Sequence, residues 1–381
     1  MRVLVATTAG AGHLGPILPF AAACRDAGHE VAVAAPASFA PAVARTGLPH
    51  LPFPDAPEDE WRAVMARLPG LGPDEANAVV IGEVFAGIDA RAALPGVEEI
   101  VARWEPDLIL RESSEFASFL VAQARGIPHV QVSIGLRLVE EFGRQFVEEP
   151  LTALGAEPGL HGLVSAPRLT LVPPSLEDPS APGPSATLRF RDHAGDRAGT
   201  ELPDWWKGSS DPLVYVSFGT VAAGMGLFPG FYREIVAALE GLPVRVLLTV
   251  GDAGDPAGLA PLPPNVHVER WWPQAGLMAH TSAMVCHGGF GTTLLGLASG
   301  VPMVVLPLFA DQPYNARRVA TLGAGIALEG GPAAAGAVGD AIGELLGDQA
   351  YRAAAGRFAS EIAGLPPSSD AVGHLEALVA R

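Results

Sequence analysis

The chain has 381 residues, with 24 Lys and Arg against 41 Asp and Glu, and a formal net charge of −17. That length suits two domains with separate cores, and that charge repels nucleic acid and anionic membrane surfaces, so any phosphate must be held locally by backbone dipoles. The two cysteines, Cys24 and Cys286, have neither metal-site nor disulfide spacing. The N-terminal "MRVLVATTAG" is too poor in apolar residues for a signal segment, and no apolar run reaches membrane-spanning length, so a cytoplasmic protein is expected.

In chain order, "RVLVATT" (Arg2 to Thr8) predicts a strand, "PILPFAAACRDAG" (Pro16 to Gly28) a helix with a glycine stop, and "EVAVAAP" (Glu30 to Pro36) a second strand. Apolar residues at helical spacing between two β-branched runs make this a βαβ unit. Further strands are expected at "DLILRE" (Asp107 to Glu112) and "HVQVS" (His129 to Ser133), giving a parallel sheet wrapped by helices. From Pro173 to Pro212 prolines and glycines crowd the text, which reads as a linker. The alternation restarts with "PLVYVSFGT", "VRVLLTVG", "NVHVER", "AMVCHG" and "PMVVLPL", five buried parallel strands of a second doubly wound domain. The last segment, "SSDAVGHLEALVAR", has Val372, Leu375 and Val379 at helical spacing. The fold class expected is α/β, with two Rossmann-like doubly wound domains.

The first junction, "GAGHLG" (Gly10 to Gly15), matches the G-x-G-x-x-G turn of dinucleotide-binding folds. That chemistry also needs a carboxylate at the end of the second strand to hold the ribose hydroxyls. Here the strand ends "VAVAAPAS", so a nicotinamide site is not expected. What remains is His13, on a glycine-rich loop at the carboxyl end of a strand, where ligands of open α/β sheets bind.

In the second half, Trp271, Pro273 and Gln274, then His287-Gly288-Gly289-Phe290-Gly291-Thr292, Gly300, Pro302, Asp311-Gln312 and Asn315 follow in order. This run resembles the signature of family-1 glycosyltransferases of the GT-B fold. The N-terminal "GHLGPILP" and "GHEV" are similar to the antibiotic glycosyltransferases of actinomycetes. The resemblance implies an acceptor-binding domain over residues 1–195, a nucleotide-sugar-binding domain over 196–365, catalysis in the cleft between them, and a helix over 366–381 that returns to the first domain.

"HGGFGTT" joins a strand to a helix, so its backbone amides and the helix dipole suit a diphosphate, with His287 and the Thr292 or Thr293 hydroxyl completing the donors. Gly288, Gly289 and Gly291 let the backbone approach the anion. The resemblance adds "SFGT", with Ser217, Gly219 and Thr220, as a second phosphate contact, and casts Trp271 as the stacking face for the donor base, with Gln274 beside it. Trp272 is expected in the core, because neighbours in extended chain point to opposite sides. Asp311 and Gln312 suit the hydroxyls of the transferred sugar, and Asp311 also suits a helix cap.

Transfer to a hydroxyl needs a base, and an imidazole titrates near neutrality, so His13 is the candidate, as the resemblance also implies. The family's acidic partner, commonly an aspartate, corresponds to Glu112 of "PDLILRE", with Ser113, Ser114 and Glu115 as neighbours. Neither an Asp-x-Asp nor a histidine pair four residues apart occurs, so no metal and no other cofactor is expected.

The expected activity is inverting, metal-independent transfer of a deoxysugar from a dTDP-sugar to a hydroxyl of a hydrophobic natural-product aglycone, by a monomer or homodimer. The alternatives are a nucleotide-sugar 2-epimerase of the same fold, which needs no acceptor, and a non-catalytic binding or activator subunit, which would not need His13. Resemblance is weakest over Pro54 to Gly96 and Leu136 to Leu169, where Trp61, Phe85, Phe142 and Phe146 supply aromatic surface for the acceptor. Family members that use UDP-sugars carry a glutamate eight residues after the phosphate-binding histidine; here that place holds Leu295.

Overall fold

The computed structural model describes residues 1–181, 187–192 and 209–380. The chain forms two compact units, Met1–Asp192 with Leu365–Arg381, and His193–Gly364.

The first unit is built on strands β1 (Arg2–Ala6), β2 (Glu30–Pro36), β3 (His50–Phe53), β4 (Leu108–Glu112), β5 (His129–Val132), β6 (Arg168–Thr170) and β7 (Thr187–Arg189). They pair in parallel in the order β3-β2-β1-β4-β5-β6-β7. Side chains of β1 and β4 alternate between two cores. Val3, Val5, Leu108 and Leu110 pack with Phe20 on one face, and Leu4, Ala6 and Ile109 with Val97 and Ile100 on the other. Both faces are covered by helices, which is why these strands read as continuous apolar runs. The C-terminal helix Ala371–Val379 buries Val372 and Leu375 in the same core as Phe20.

The second unit carries β8 (Leu213–Ser217), β9 (Arg245–Thr249), β10 (Val266–Glu269), β11 (Thr281–Cys286), β12 (Met303–Val305) and β13 (Gly325–Ala327), all parallel, in the order β10-β9-β8-β11-β12-β13. In each sheet the chain works outward from its first strand and then crosses back to the other side. The reversal falls between β1 and β4 in one sheet and between β8 and β11 in the other. Loops leave in opposite directions there and open a crevice at the strands' carboxyl ends.

Three expectations are corrected. Thr187–Arg189, inside the stretch read as a linker, is the edge strand β7; the rest of that stretch, and the domain boundary at 195/196, lies partly outside the described residues. His13 stands on a helical turn, Ala11–Leu14, and not on a loop, because the amides of His13 and Leu14 both bond the Gly10 carbonyl. The helix expected to start at Pro16 therefore starts earlier, and Pro16 lies in the short 3₁₀ segment Gly15–Ile17 that leads into Leu18–Asp26.

Candidate active site

At the first reversal, β1 runs through the buried Thr7 and Thr8 into the turn that carries His13, while β4 ends at Glu112. His13 Nδ1 lies 3.1 Å from Glu112 Oε1, with the His13 side chain 21 % exposed and that of Glu112 fully buried. The same oxygen accepts from Thr8 Oγ1 at 3.0 Å and the Thr8 amide at 3.3 Å, and Oε2 accepts from the Ser114 amide at 2.5 Å. Burial alone would raise this carboxyl; the His13 charge and hydrogen bond, with the Ser114 and Thr8 amides, bring it below its ordinary value. Glu112 is thus held ionised, against the imidazole. A Cβ on Gly10 would come within 2.8 Å of His13 Cδ2, so the first glycine of "GAGHLG" makes room for the imidazole.

The neighbours of Glu112 are turned to other work. Glu115 accepts from the Ser118 amide at 3.0 Å at the start of helix Ala117–Arg125. Arg111, fully buried, donates to the carbonyls of Glu112 and Glu115 at 3.2 and 3.3 Å and to Gln131 Oε1 at 2.8 Å, tying down the turn that presents Glu112. Glu140 accepts from Ser113 Oγ, from Ser133 Oγ at 3.2 Å and from the Ile134 amide at 3.1 Å, and pairs with Arg168. Sequence reasoning missed this network, because nothing local marks a buried arginine inside an apolar strand. It also missed the contact of the Phe85 ring with the His13 ring, edge-on with centroids 5.2 Å apart.

At the second reversal, Ser217 ends β8 in register with Cys286 of β11, and His287 follows at once. Burial pulls the His287 imidazole down to about 4, so it is neutral near pH 7, although a hydrogen bond to the Ser217 backbone works the other way. Its buried Nδ1 has no hydrogen-bond partner. Gly288 has φ of 82°, and a Cβ on Gly289 would lie 2.4 Å from His287 Nε2. Both positions therefore require glycine. Gly219, with φ of 74°, closes on the same ring, and Thr220 follows it. Helix Phe290–Ala298 starts from this turn, with Gly291 and Thr292 in its first turn. Thr292 is half-buried and Thr293 buried, so of the two hydroxyls only that of Thr292 is open to a ligand.

Trp271 is 66 % exposed and Trp272 half-buried. Gln274 Nε2 donates to the buried Tyr215 hydroxyl at 2.8 Å, which aims the side chain inward. Gln312 is buried, and its Oε1 accepts from the amides of Leu308 and Phe309 at 2.8 and 3.0 Å. Only its Nε2 is left for a sugar. Asp311 precedes helix Gln312–Thr321 without a side-chain cap bond; its Oδ2 accepts from Asn315 Nδ2 at 2.7 Å. Cys24 and Cys286 are buried thiols, each pushed up to about 12 by burial. Among the described residues no group of three or more His, Cys, Asp or Glu side chains is placed to hold a metal ion, and no helix is long and apolar enough to cross a membrane.

Two domain families of erythromycin biosynthesis protein CIII-like type match the chain, the N-terminal domain over residues 71–219 and the C-terminal domain over 233–378. An L-demethylnoviosyl transferase of Streptomyces niveus is 31% identical over 96% of this chain and 95% of its own. The elloramycin glycosyltransferase ElmGT of Streptomyces olivaceus is 32% identical over 98% and 97%. Among solved structures, the Streptomyces sp. SF2575 glycosyltransferase SsfS6 complexed with thymidine diphosphate aligns over 99% of both chains, with a TM-score of 0.76 and 27% identity. Two parallel doubly wound sheets together with these matches define a GT-B glycosyltransferase. The chain belongs to family 1 of these enzymes, in the branch that serves actinomycete natural products.

Proposed function

We propose that this glycosyltransferase moves a deoxysugar from a dTDP-sugar to a hydroxyl of a hydrophobic polyketide or macrolide aglycone, with inversion and without a metal ion. The carrying observation is the 3.1 Å contact between His13 Nδ1 and the buried Glu112 carboxylate. A carboxylate on Nδ1 fixes the ring and favours the imidazolium that forms when Nε2 takes a proton. The acceptor, bound by the first unit, gives its hydroxyl proton to His13 as its oxygen bonds to the anomeric carbon. The bond from that carbon to the diphosphate breaks with its electron pair going to the leaving oxygen. A single displacement from the face opposite the leaving group inverts the centre.

The diphosphate charge that develops is met by the amides of Gly289 and Gly291, the start of helix Phe290–Ala298, and the hydroxyls of Thr220 and Thr292, while Ser217 is buried at the end of β8. These groups can hold a diphosphate on a chain of formal net charge −17. Trp271 offers an exposed indole face for the base, worth about 1–3 kcal/mol if a base stacks on it as in single-strand binders. Gln274 stands beside it, while Asp311 and the Gln312 amide suit sugar hydroxyls. The dTDP preference draws on Leu295, half-buried, which offers no acceptor for a ribose 2′-hydroxyl, and on the relative solved with thymidine diphosphate.

The test is a mass-spectrometric screen of TDP- and UDP-sugars against natural-product aglycones, with and without a chelator. Glycoside formation that survives chelation supports the reading. Turnover of a nucleotide sugar with no acceptor present would replace it with the epimerase.

A further inference from the structure

Val80–Asp89 is a π-helix, wider than an α-helix, and the amide of Ala90 beyond it bonds the Phe85 carbonyl five residues back. Such segments are rare and frequently lie at functional sites. Residues four and five apart share a face of this wide helix, so Phe85, whose ring lies against His13, and Asp89 are neighbours along it. Apart from Glu83, which is exposed and paired with Arg67, the rest of the segment is apolar, with Val84 and Ile88 buried together against Val64. Among its buried and half-buried residues Asp89 alone is acidic.

The two acidic groups that act on it are both satisfied: Glu112 holds His13, and Asp55 holds the Ser38 amide and hydroxyl. Asp89 is half-buried and makes no hydrogen bond and no ion pair among the described residues. A part-buried carboxyl without a partner is costly to keep, and ligand pockets are apolar walls with a few such polar groups that fix orientation.

We propose that Asp89 is a specificity-determining residue that accepts a hydrogen bond from a second donor on the acceptor, a hydroxyl or a protonated amine, beside the hydroxyl that His13 deprotonates. The charge environment agrees: burial raises the Asp89 carboxyl to about 7, with His13 lowering it and Glu112 and Asp55 raising it. A ligand donor would restore the ionised form. The inference rests on the acceptor lying on the first unit next to His13.

The experiment uses the aglycone turned over in the screen above and its mono-methyl ethers or N-acylated forms, each masking one donor other than the reacting hydroxyl. In the wild type, one masked derivative should raise KM at least about tenfold, or about 1.4 kcal/mol. The Asp89→Asn enzyme should bind the parent about tenfold more weakly and no longer distinguish that derivative; ethers and amides tell a hydroxyl from an amine. At pH 8 the same variant should melt at a higher temperature, because it removes an unpaired carboxylate, whereas loss of a merely structural residue lowers it. Equal loss on masking in wild type and variant overturns the role of Asp89 and leaves the transferase reading intact. Wild-type turnover by a His13→Ala enzyme would instead overturn the reading on which it rests.

Discussion

Asn315 joins two loops of the second unit: its Nδ2 donates to the Asp311 carboxylate at 2.7 Å and to the Gly288 carbonyl at 2.9 Å. One buried amide thereby fixes the turn proposed to hold phosphate to the residue proposed to hold the sugar. Replacing Asn315 with Ala leaves the Gly288 carbonyl and the Asp311 carboxylate without this donor, at a cost of about 1–3 kcal/mol. TDP affinity should fall roughly tenfold by calorimetric titration. Unchanged affinity would mean that the turn keeps its shape without Asn315.

Glu112 has a folded-state pKa below its ordinary value, so it stabilises the fold above that value, and the contribution is lost as pH falls through the depressed one. Glu112→Gln removes the charge while keeping the shape. The variant should show a flatter decline of melting temperature on acidification than the wild type, and a turnover at least about 100-fold lower at neutral pH. Parallel acid profiles would show that Glu112 is not ionised against His13.

How much of this was legible depends on how local each cause is. β1, β2, β4 and β8 are apolar runs buried on both faces, and their strands announce themselves. β3 contains Pro52, while β7 and β13 have three residues each, too few for a pattern to show. The turn after His287 was readable as a glycine turn, because the positive φ of Gly288 and the approach of Gly289 to the His287 ring both call for glycine. Phe85 and Asp89 were not: nothing in "VIGEVFAGID" shows which ring meets His13, because the turn after β1 and a distant helix supply the two halves of that contact. The role of Arg111 inside "LILRE" does not show in the strand pattern, and only its partners on the next strand and the following turn explain it.

Leu295 is proposed to set the nucleotide preference. Calorimetric titration of the free protein should find dTDP bound more tightly than UDP by roughly tenfold, since a 2′-hydroxyl facing an apolar side chain goes without a partner. Leu295→Glu should narrow or reverse that ratio. Equal affinities in the wild type would place Leu295 away from the ribose.

Exchanging Pro54 to Gly96 and Leu136 to Leu169 for those of a relative should change acceptor choice and leave donor choice alone. The first segment carries Phe85 and Asp89, and the second the paired rings of Phe142 and Phe146. A competition assay with mixed donors and mixed acceptors reads both preferences at once. A shift in donor preference would contradict the assignment of the first unit to the acceptor.

The most direct measurement is the turnover of His13→Ala alongside its TDP affinity. With the base removed and the second unit untouched, turnover should fall at least about 100-fold, while TDP binds as it does to the wild type. Wild-type turnover from the alanine enzyme would contradict the assignment of His13 as the base.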